Sequence, residues 1–321
     1  MTLTAAVHIT FPAVRNRAEI NLYRVSSVRI ESSWKEFTDK AEITLPRRVR
    51  NFDKFKYTDL FQNGDPVIAR MGYGEGTLPV EFEGYLSDVS EGVPVTLRCE
   101  DEMYKLKRGN VSISSPSITL KELLQKAAQG YEIDCPDVQL GAVRYSNVAP
   151  IKILESIKKE TGFHSYFDGK VLRCGIIYAD QSDVAPVKIR LEKNAVSENL
   201  NKKSATDQVC IKAISILKDG KKIEVEVGDK GGTTIQRTYI NITVRGELEK
   251  QAQRDLEKYK VKGFDGSVTL FGIPAFRHGM KMDLKSEFYE NMNGTYYIDK
   301  VVKKFSSAGY RQEVTLGDKA Q

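Results

Sequence analysis

Histidine, cysteine and tryptophan are scarce: the 321 residues hold three His, four Cys and one Trp. His8, His164 and His278 stand far apart, with no HxH or HExxH spacing, which argues against a metal centre. Cys99, Cys135, Cys174 and Cys210 form no CxxC pair, so structural zinc is not expected and the thiols should be reduced, as in a protein made inside a cell. Cys99 and Cys174 fall in alternating stretches, where cysteine serves as a small buried hydrophobe. No GxSxG elbow is present and no cysteine neighbours a histidine, so the familiar nucleophile arrangements are missing. No apolar run approaches the roughly 18 residues that span a bilayer. The N-terminal stretch lacks the basic lead, apolar run and cleavage site of a secretory signal. A soluble chain with no membrane insertion is expected.

An excess of charge of either sign is also lacking. Lys plus Arg number 49 and Asp plus Glu 43, a net +6. The basic clusters Arg47-Arg48-Arg50, Lys202-Lys203, Lys221-Lys222 and Lys303-Lys304 are diluted by acids or alternating apolar residues. They read as solvated surface, and no specific nucleic-acid binding is expected. Hydrophobic residues make up 40%, enough to bury real cores and to exclude wholesale disorder.

What is present is strand pattern. Arg29-Ile30-Glu31, Lys40 to Leu45, Asp65 to Met71, Val80 to Leu86 and Val95 to Cys99 alternate polar and apolar residues at the period of a half-buried strand. Short turns between them favour an antiparallel sandwich or barrel. Gly109-Asn110, followed by Ser112, Ser114, Ser115, Pro116 and Ser117, reads as a domain edge. The period then changes. Thr119-Leu120-Lys121-Glu122 is a capping box, Leu120, Leu123, Leu124 and Ala127 share a helical face, and Gly130 suits the stop. A second helix is predicted just after Asn147, with Pro150 in its first turn, a stripe of Ile151, Leu154 and Ile157, a Glu155–Lys159 pair, and Gly162 at its end. Phe163 to Phe167, Asp168-Gly169, and Lys170 to Ile177 predict a tight hairpin.

The last third returns to strands: Val209 to Ile216 and Lys222 to Val227 around Asp219-Gly220, then Val268-Thr269-Leu270, Met280 to Leu284, Tyr296 to Val302 and Gln312 to Leu316. One helix, from about Glu247 to Tyr259, repeats Leu248, Ala252 and Leu256 every four residues. The expected fold class is therefore mainly β with an α+β insert: two tube-like antiparallel β-barrel domains, residues 1–110 and 183–321, flanking a small α/β domain, 111–182.

The two β parts share a pattern. Gly64-Asp65-Pro66-Val67-Ile68, Gly84-Tyr85-Leu86-Ser87-Asp88-Val89 and Val95-Thr96-Leu97 recur in order as Gly279-Met280-Lys281-Met282, Tyr297-Ile298-Asp299-Lys300-Val301 and Val314-Thr315-Leu316. Internal duplication and chance likeness between alternating strands both produce such a series.

Candidate chemistry is thin. Gly72-Tyr73-Gly74-Glu75-Gly76 lacks the Lys and Ser/Thr of a phosphate loop and reads as a hairpin tip. Glu81/Glu83 and Glu224/Glu226 sit at i,i+2, which on a strand puts both carboxylates on one face, as a glycosidase needs and as any charged solvent face also does. The sequons at Asn110, Asn241 and Asn293 carry no weight without eukaryotic secretion. Fifteen Tyr and thirteen Phe exceed any catalytic need. Tyrosines at strand ends suit subunit interfaces. No catalytic, cofactor-binding or metal site residue, and no cofactor, is assigned.

Several runs resemble the baseplate hub proteins of contractile tails, namely the late-control D-type proteins of Mu-like phages and the hub part of type VI secretion VgrG proteins. They are Ser33-Trp34 before Ala41 to Pro46; Phe61-Gln62-Asn63-Gly64-Asp65-Pro66-Val67; Phe82-Glu83-Gly84-Tyr85-Leu86; and Cys99 to Lys107. Asn147-Val148-Ala149-Pro150, Ile153-Leu154, Thr161-Gly162-Phe163 and the Asp168-Gly169 hairpin are similar to the middle domain. Tyr296 to Val301, Phe305, Gly309-Tyr310 and Val314-Thr315-Leu316 are similar to the closing strands. The resemblance implies a structural protein, not an enzyme. It would act as a homotrimer whose pseudo-six-fold ring joins the tail tube protein to the central spike of a phage, prophage or related injection machine. Such a protein is located in the virion tail baseplate after synthesis in the bacterial host cytoplasm. No lysozyme-like domain is embedded, and no long β-helix follows Leu316, so hydrolysis and the spike are expected on separate chains. Exposed strand edges and the middle domain would carry the subunit contacts. The rival readings are a cell-wall glycan hydrolase, resting on Glu81 and Glu224, and a nucleic-acid or glycan-binding β module, resting on basic charge and aromatic strands.

Overall fold

The computed structural model describes residues 4–46, 60–74, 76–90, 92–176, 185–203, 209–260, 263–290 and 293–320, without the side chains at 202, 203, 258–260 and 263. The Arg47-Arg48-Arg50 cluster, Glu75 and Ile177 lie outside the described residues, as do the side chains of the Lys202-Lys203 cluster.

The first part contains β1 (Ala5–Phe11), β2 (Ile20–Leu22), β3 (Ser27–Ser33), β4 (Lys40–Thr44), β5 (Pro66–Tyr73), β6 (Val80–Val89) and β7 (Thr96–Glu100), then a one-turn helix α1 (Met103–Leu106). Alternation is the cause. In β4, Ala41 and Ile43 are buried while Lys40 and Glu42 are exposed. The strands pair in the order β2-β1-β5-β6-β7-β4-β3, all antiparallel. Their inner residues, among them Ile9, Phe11, Ile43, Val67, Met71 and Leu86, join one hydrophobic cluster, so the sheet curls around its own core.

Next come β8 (Val111–Thr119), α2 (Leu120–Ala127), β9 (Glu132–Asp134), β10 (Gln139–Val148), α3 (Pro150–Thr161), β11 (His164–Asp168) and β12 (Val171–Gly175). The capping box is formed: Glu122 N–H donates to Thr119 Oγ1 at 3.2 Å and Thr119 N–H to Glu122 Oε2 at 3.0 Å. Pro150 opens α3, and Gly162, at φ +74°, closes it. Four local details differ from expectation. The serine-rich stretch after Gly109 is strand β8, because β10 supplies a ladder partner. The buried aliphatic stripe of α3 is Ile153, Leu154 and Ile157, without Ile151, and Glu155 pairs with Lys152 at 2.8 Å rather than with Lys159. In the β11–β12 hairpin Asp168 pairs with Val171, so the turn is Gly169-Lys170, and only Gly169 takes a positive φ.

The last part contains β13 (Val187–Arg190), α4 (Leu191–Asn194), β14 (Ala195–Lys203), β15 (Val209–Ile216), β16 (Lys222–Gly228), β17 (Thr233–Ile240), α5 (Arg245–Lys260), β18 (Gly263–Phe271), β19 (Lys281–Lys285), β20 (Gly294–Ser306) and β21 (Gly309–Lys319). Here β15, β16 and β17 form a separate three-stranded sheet. The predicted stripe of α5, Leu248, Ala252 and Leu256, packs with Val209, Ile211 and Ala213 as a fourth core. Burying each leucine contributes about 1.5–3 kcal/mol. The opposite face of β15 places Ile214 and Ile216 in the core of α2 and α3, so this strand is buried on both faces.

The class is mainly β with an α+β insert, as expected from the alternating runs. β14, β18, β21, β20, β19 and β13 enclose the third core, with Val268, Ile298 and Val314 inside. Their order, β13-β19-β20-β21-β18-β14, repeats β1-β5-β6-β7-β4-β3, with strands taken in the same chain order. The match extends to single bonds. Gly64 N–H donates to Leu86 C=O at 2.7 Å and Leu86 N–H to Asp65 C=O at 2.8 Å; Gly279 N–H donates to Ile298 C=O at 2.7 Å and Ile298 N–H to Met280 C=O at 2.9 Å. Both glycines have positive φ, 92° and 82°. A bulge interrupts the ladder between Leu86 and Asp88, and another between Ile298 and Lys300. One pairing departs from the repeat: β1–β5 is antiparallel whereas β13–β19 is parallel.

The halves are joined through β20. Its first residues pair with β19, then from Lys300 to Ser306 the same edge pairs with β3, Ser33 to Ser27, so one sheet runs through both parts.

Candidate functional site

A cavity of about 610 Å³ lies where the three parts meet. Its walls come from Glu81 and Glu83 on β6, the Asp168–Lys170 turn of the β11–β12 hairpin, and Arg277 and His278 before β19. Many ionisable groups face it, and most are already matched. Lys303 of β20 pairs with Glu81, both side chains being buried. Glu102 receives Lys170, Tyr131 and Tyr85. Burial works to raise the Glu102 carboxyl, but these donors, with Lys105, outweigh it and hold it below the ordinary range. His278 shares a hydrogen bond with Ser32 Oγ at 2.6 Å, and burial pushes its ring down to about 4, so it is neutral at pH 7.

Two carboxyl groups behave differently. The β4–β7 ladder sets Asp39 beside Asp101, and Asp39 N–H donates to Asp101 Oδ2 at 3.2 Å. Burial, and then the neighbouring Asp39, push Asp101 well above the usual carboxylate range. Burial raises Asp39 to about 6 against the hydrogen bonds from Ser32 and Ser33. A carboxyl kept protonated beside one that titrates near neutrality is chemically capable of acid–base work. Sequence reasoning missed this pair, since 62 residues separate its members and only the ladder unites them.

Of the carboxylates singled out by spacing, Glu81 and Glu83 both line the cavity, but only Glu81 is taken up by an internal lysine. A bulge at Glu81 in the β5–β6 ladder re-aims it towards Lys303, while Glu83 stays exposed. Glu224 and Glu226 lie on the solvent face of β16, where Lys212 pairs with Glu224 at 3.0 Å, and neither lines the cavity. The histidines are equally dispersed. His8 stacks on Tyr23 at 4.4 Å, and His164 meets the edge of Trp34 at 4.6 Å, with burial, then Lys158 and Lys35, pushing it down to about 4. Cys99, Cys174 and Cys210 are buried and Cys135 partly so; burial raises the Cys174 thiol to about 12 and Cys135 to about 11. Among the described residues no group of three or more His, Cys, Asp or Glu is placed to hold a metal ion, and no helix is long and apolar enough to cross a membrane.

A set of long-range contacts braces the two curled sheets. Trp34 Nε1 donates to Asp299 Oδ1 at 3.0 Å, Ser33 Oγ to the Asp299 carbonyl at 3.2 Å, and Lys35 pairs with the same carboxylate. Lys300 pairs with Glu31 across β20 and β3. Tyr73 Oη donates to the Tyr310 carbonyl at 2.7 Å and accepts from Gly272 N–H at 2.9 Å, while Tyr310 fills the first core. Trp34 is thus a structural clamp, as its place in the expected first hairpin allows.

No protein-family model matches the chain, and no curated protein matches it. Solved structures do. The tail protein from Neisseria meningitidis MC58 superposes with a TM-score of 0.65 at 12% identity, over 99% of this chain and 97% of that one. The 43 kDa tail protein of prophage MuSo2 from Shewanella oneidensis gives 0.63 at 13% identity, covering 98% of each chain. A chain of the Francisella PdpA–VgrG complex gives 0.56 at 11% identity, over 99% of this chain and 58% of that one. At these identities the likeness is one of fold, and the fold is that of phage and prophage tail proteins and VgrG-related proteins.

Proposed function

We propose that the chain is a structural hub of a contractile tail or related injection machine, assembling as a homotrimer whose ring joins a tail tube to a separate spike in the baseplate. The observation that carries this reading is the repeated six-strand order, with its matching glycine turns and bulges. Two equivalent curled sheets per chain give six equivalent sheets per trimer, which meets a six-fold tube on one side and a three-fold spike on the other. The tail-protein fold supports it. On this reading residues 1–110 and 183–321 are the ring-forming parts and 111–182 is a lateral domain. The sheet of β15–β17 is an addition between β14 and β18, where the first repeat has only the connection from β3 to β4. The role is non-enzymatic and the protein ends in the virion tail.

Light scattering or sedimentation tests it. The expected species has three times the 36.1 kDa chain mass and binds tube or spike protein. A monomer that stays monomeric at high concentration and with those partners overturns the reading.

A second reading, a glycan hydrolase, draws on the Asp39–Asp101 pair in the cavity. Its test is release of fragments from peptidoglycan, abolished by Asp101→Asn. No turnover by the unmodified protein removes it. The pairing of Glu81 with Lys303 and of Glu102 with Lys170 weighs towards bracing, because charges already matched within the chain are poorly placed to engage substrate.

A further inference from the structure

The junction inside the chain is a template for a junction between chains. β3 gives one edge to β4 and the other to the second half of β20. In the repeat, β3 corresponds to β14 and β20 to β6. Both counterparts have that edge vacant among the described residues. β14 is paired on one side, with β18, and Val196, Ser197, Glu198, Asn199 and Asn201 are exposed, whereas Val28, Ile30 and Ser33 on β3 are buried. Beyond Leu86, β6 is paired with β7 alone. An unpaired strand edge is a template for sheet extension by another chain.

We propose that β14 of one copy adds antiparallel to the free edge of β6 of the next, so that copies join head to tail. This inference rests on the hub reading for the closure of the ring at three copies. The repeat fixes the register. The shared bulge makes Asp88 the counterpart of Lys300, hence Ser90 the counterpart of Val302. The ladders Val28–Ile43–Leu97 and Glu198–Val268–Val314 make Asn201 the counterpart of Glu31. Val302 faces Glu31 within the chain, so Ser90 of one copy faces Asn201 of the next, Val89 faces Lys202 and Asp88 faces Lys203.

A further observation favours a second copy as the occupant. The hairpin tip of β20–β21 sets Phe305 and Tyr310 against the first core, whereas at the corresponding β6–β7 tip Val93 is 76% exposed. A neighbour's third core would receive it as the first core receives Phe305. A heterologous contact of this kind closes a ring when its rotation is a whole fraction of a turn.

The test uses the full-length chain with Cys135→Ser as background. Ser90→Cys and Asn201→Cys are made separately, mixed at equal amounts and mildly oxidised. A disulfide-linked pair of chains is expected from this mixture, and far less from Ser90→Cys mixed with Glu198→Cys, three residues out of register. In the unmodified protein, amides of β14 should gain exchange protection as concentration drives assembly. A trimer that forms with β14 amides unprotected, or that links position 198 as readily as 201, overturns this interface while leaving the hub reading intact. A strict monomer with no cross-link overturns both.

Discussion

Lys303 on β20 and Glu81 on β6 form an ion pair 222 residues apart in sequence, with side chains only 7% and 5% exposed. It ties the last hairpin to the first curled sheet. Removing one member of a buried pair strands the other charge, so Lys303→Met alone should destabilise the chain by about 3–5 kcal/mol. Lys303→Met with Glu81→Leu should recover most of that loss, since neither charge then remains without a partner. Urea unfolding of the single and double variants measures this. Equal losses in both would mean that the pair does not act as a unit.

Asp299 gathers Trp34 Nε1, Ser33 Oγ and Lys35 at the point where β20 hands its edge from β19 to β3. Hydrogen bonds to a charged group contribute about 1.5–3 kcal/mol, so Asp299→Ala should lower stability by roughly that amount. Trp34 is the only tryptophan and is 8% exposed. Its emission therefore reports this junction, and it should shift to the red in Asp299→Ala before global unfolding is complete. An unchanged spectrum with an unchanged midpoint would show that the clamp contributes nothing.

What could be read in advance was what local rules dictate. Alternation located β4, β6 and β20, and the Thr119–Glu122 box located the start of α2, because each signal resides in neighbouring residues. Long-range information was not legible. Val95-Thr96-Leu97 matches Val314-Thr315-Leu316 by eye, yet the ladders make Leu97 the counterpart of Val314. A shift of two residues leaves strand periodicity unchanged, so the pattern is blind to it. The Asp39–Asp101 pair and the β3–β20 junction are likewise products of pairing between distant segments. β14 carries mostly exposed polar residues, which is why alternation did not reveal it.

Gly84 lies where β6 passes β7 closely: a Cβ there would sit 2.2 Å from the Glu100 carbonyl oxygen. That atom is backbone and cannot swing aside. Gly84→Ala should therefore force the strands apart and cost about 1–3 kcal/mol, the range for overpacking. Gly76→Ala, with open space around it, serves as the control and should be near neutral. Thermal denaturation of the two variants compares them directly. Similar midpoints would mean that the close approach relaxes without cost.

Acid should weaken the fold through its histidines. His164 and His278 are held neutral by burial, both down to about 4. The unfolded chain takes up these protons near pH 6.5, so it binds more protons than the folded chain between about pH 6.5 and 4. Stability contributed by each ring is complete above about pH 6.5 and falls as pH drops through this window, by up to about 3 kcal/mol per histidine. Asp39 acts in the opposite sense. Raised to about 6, it keeps its proton in the folded chain, so its contribution is present below the ordinary aspartate range and is lost as pH rises through about 6. His164→Gln should therefore flatten the dependence of unfolding free energy on pH between 4 and 6.5, and Asp39→Asn should steepen it. Urea titrations at half-unit steps of pH separate the two. If His164→Gln leaves the slope unchanged, the ring is not held neutral in the folded chain, and its contact with Trp34 is looser than the 4.6 Å edge-on packing implies.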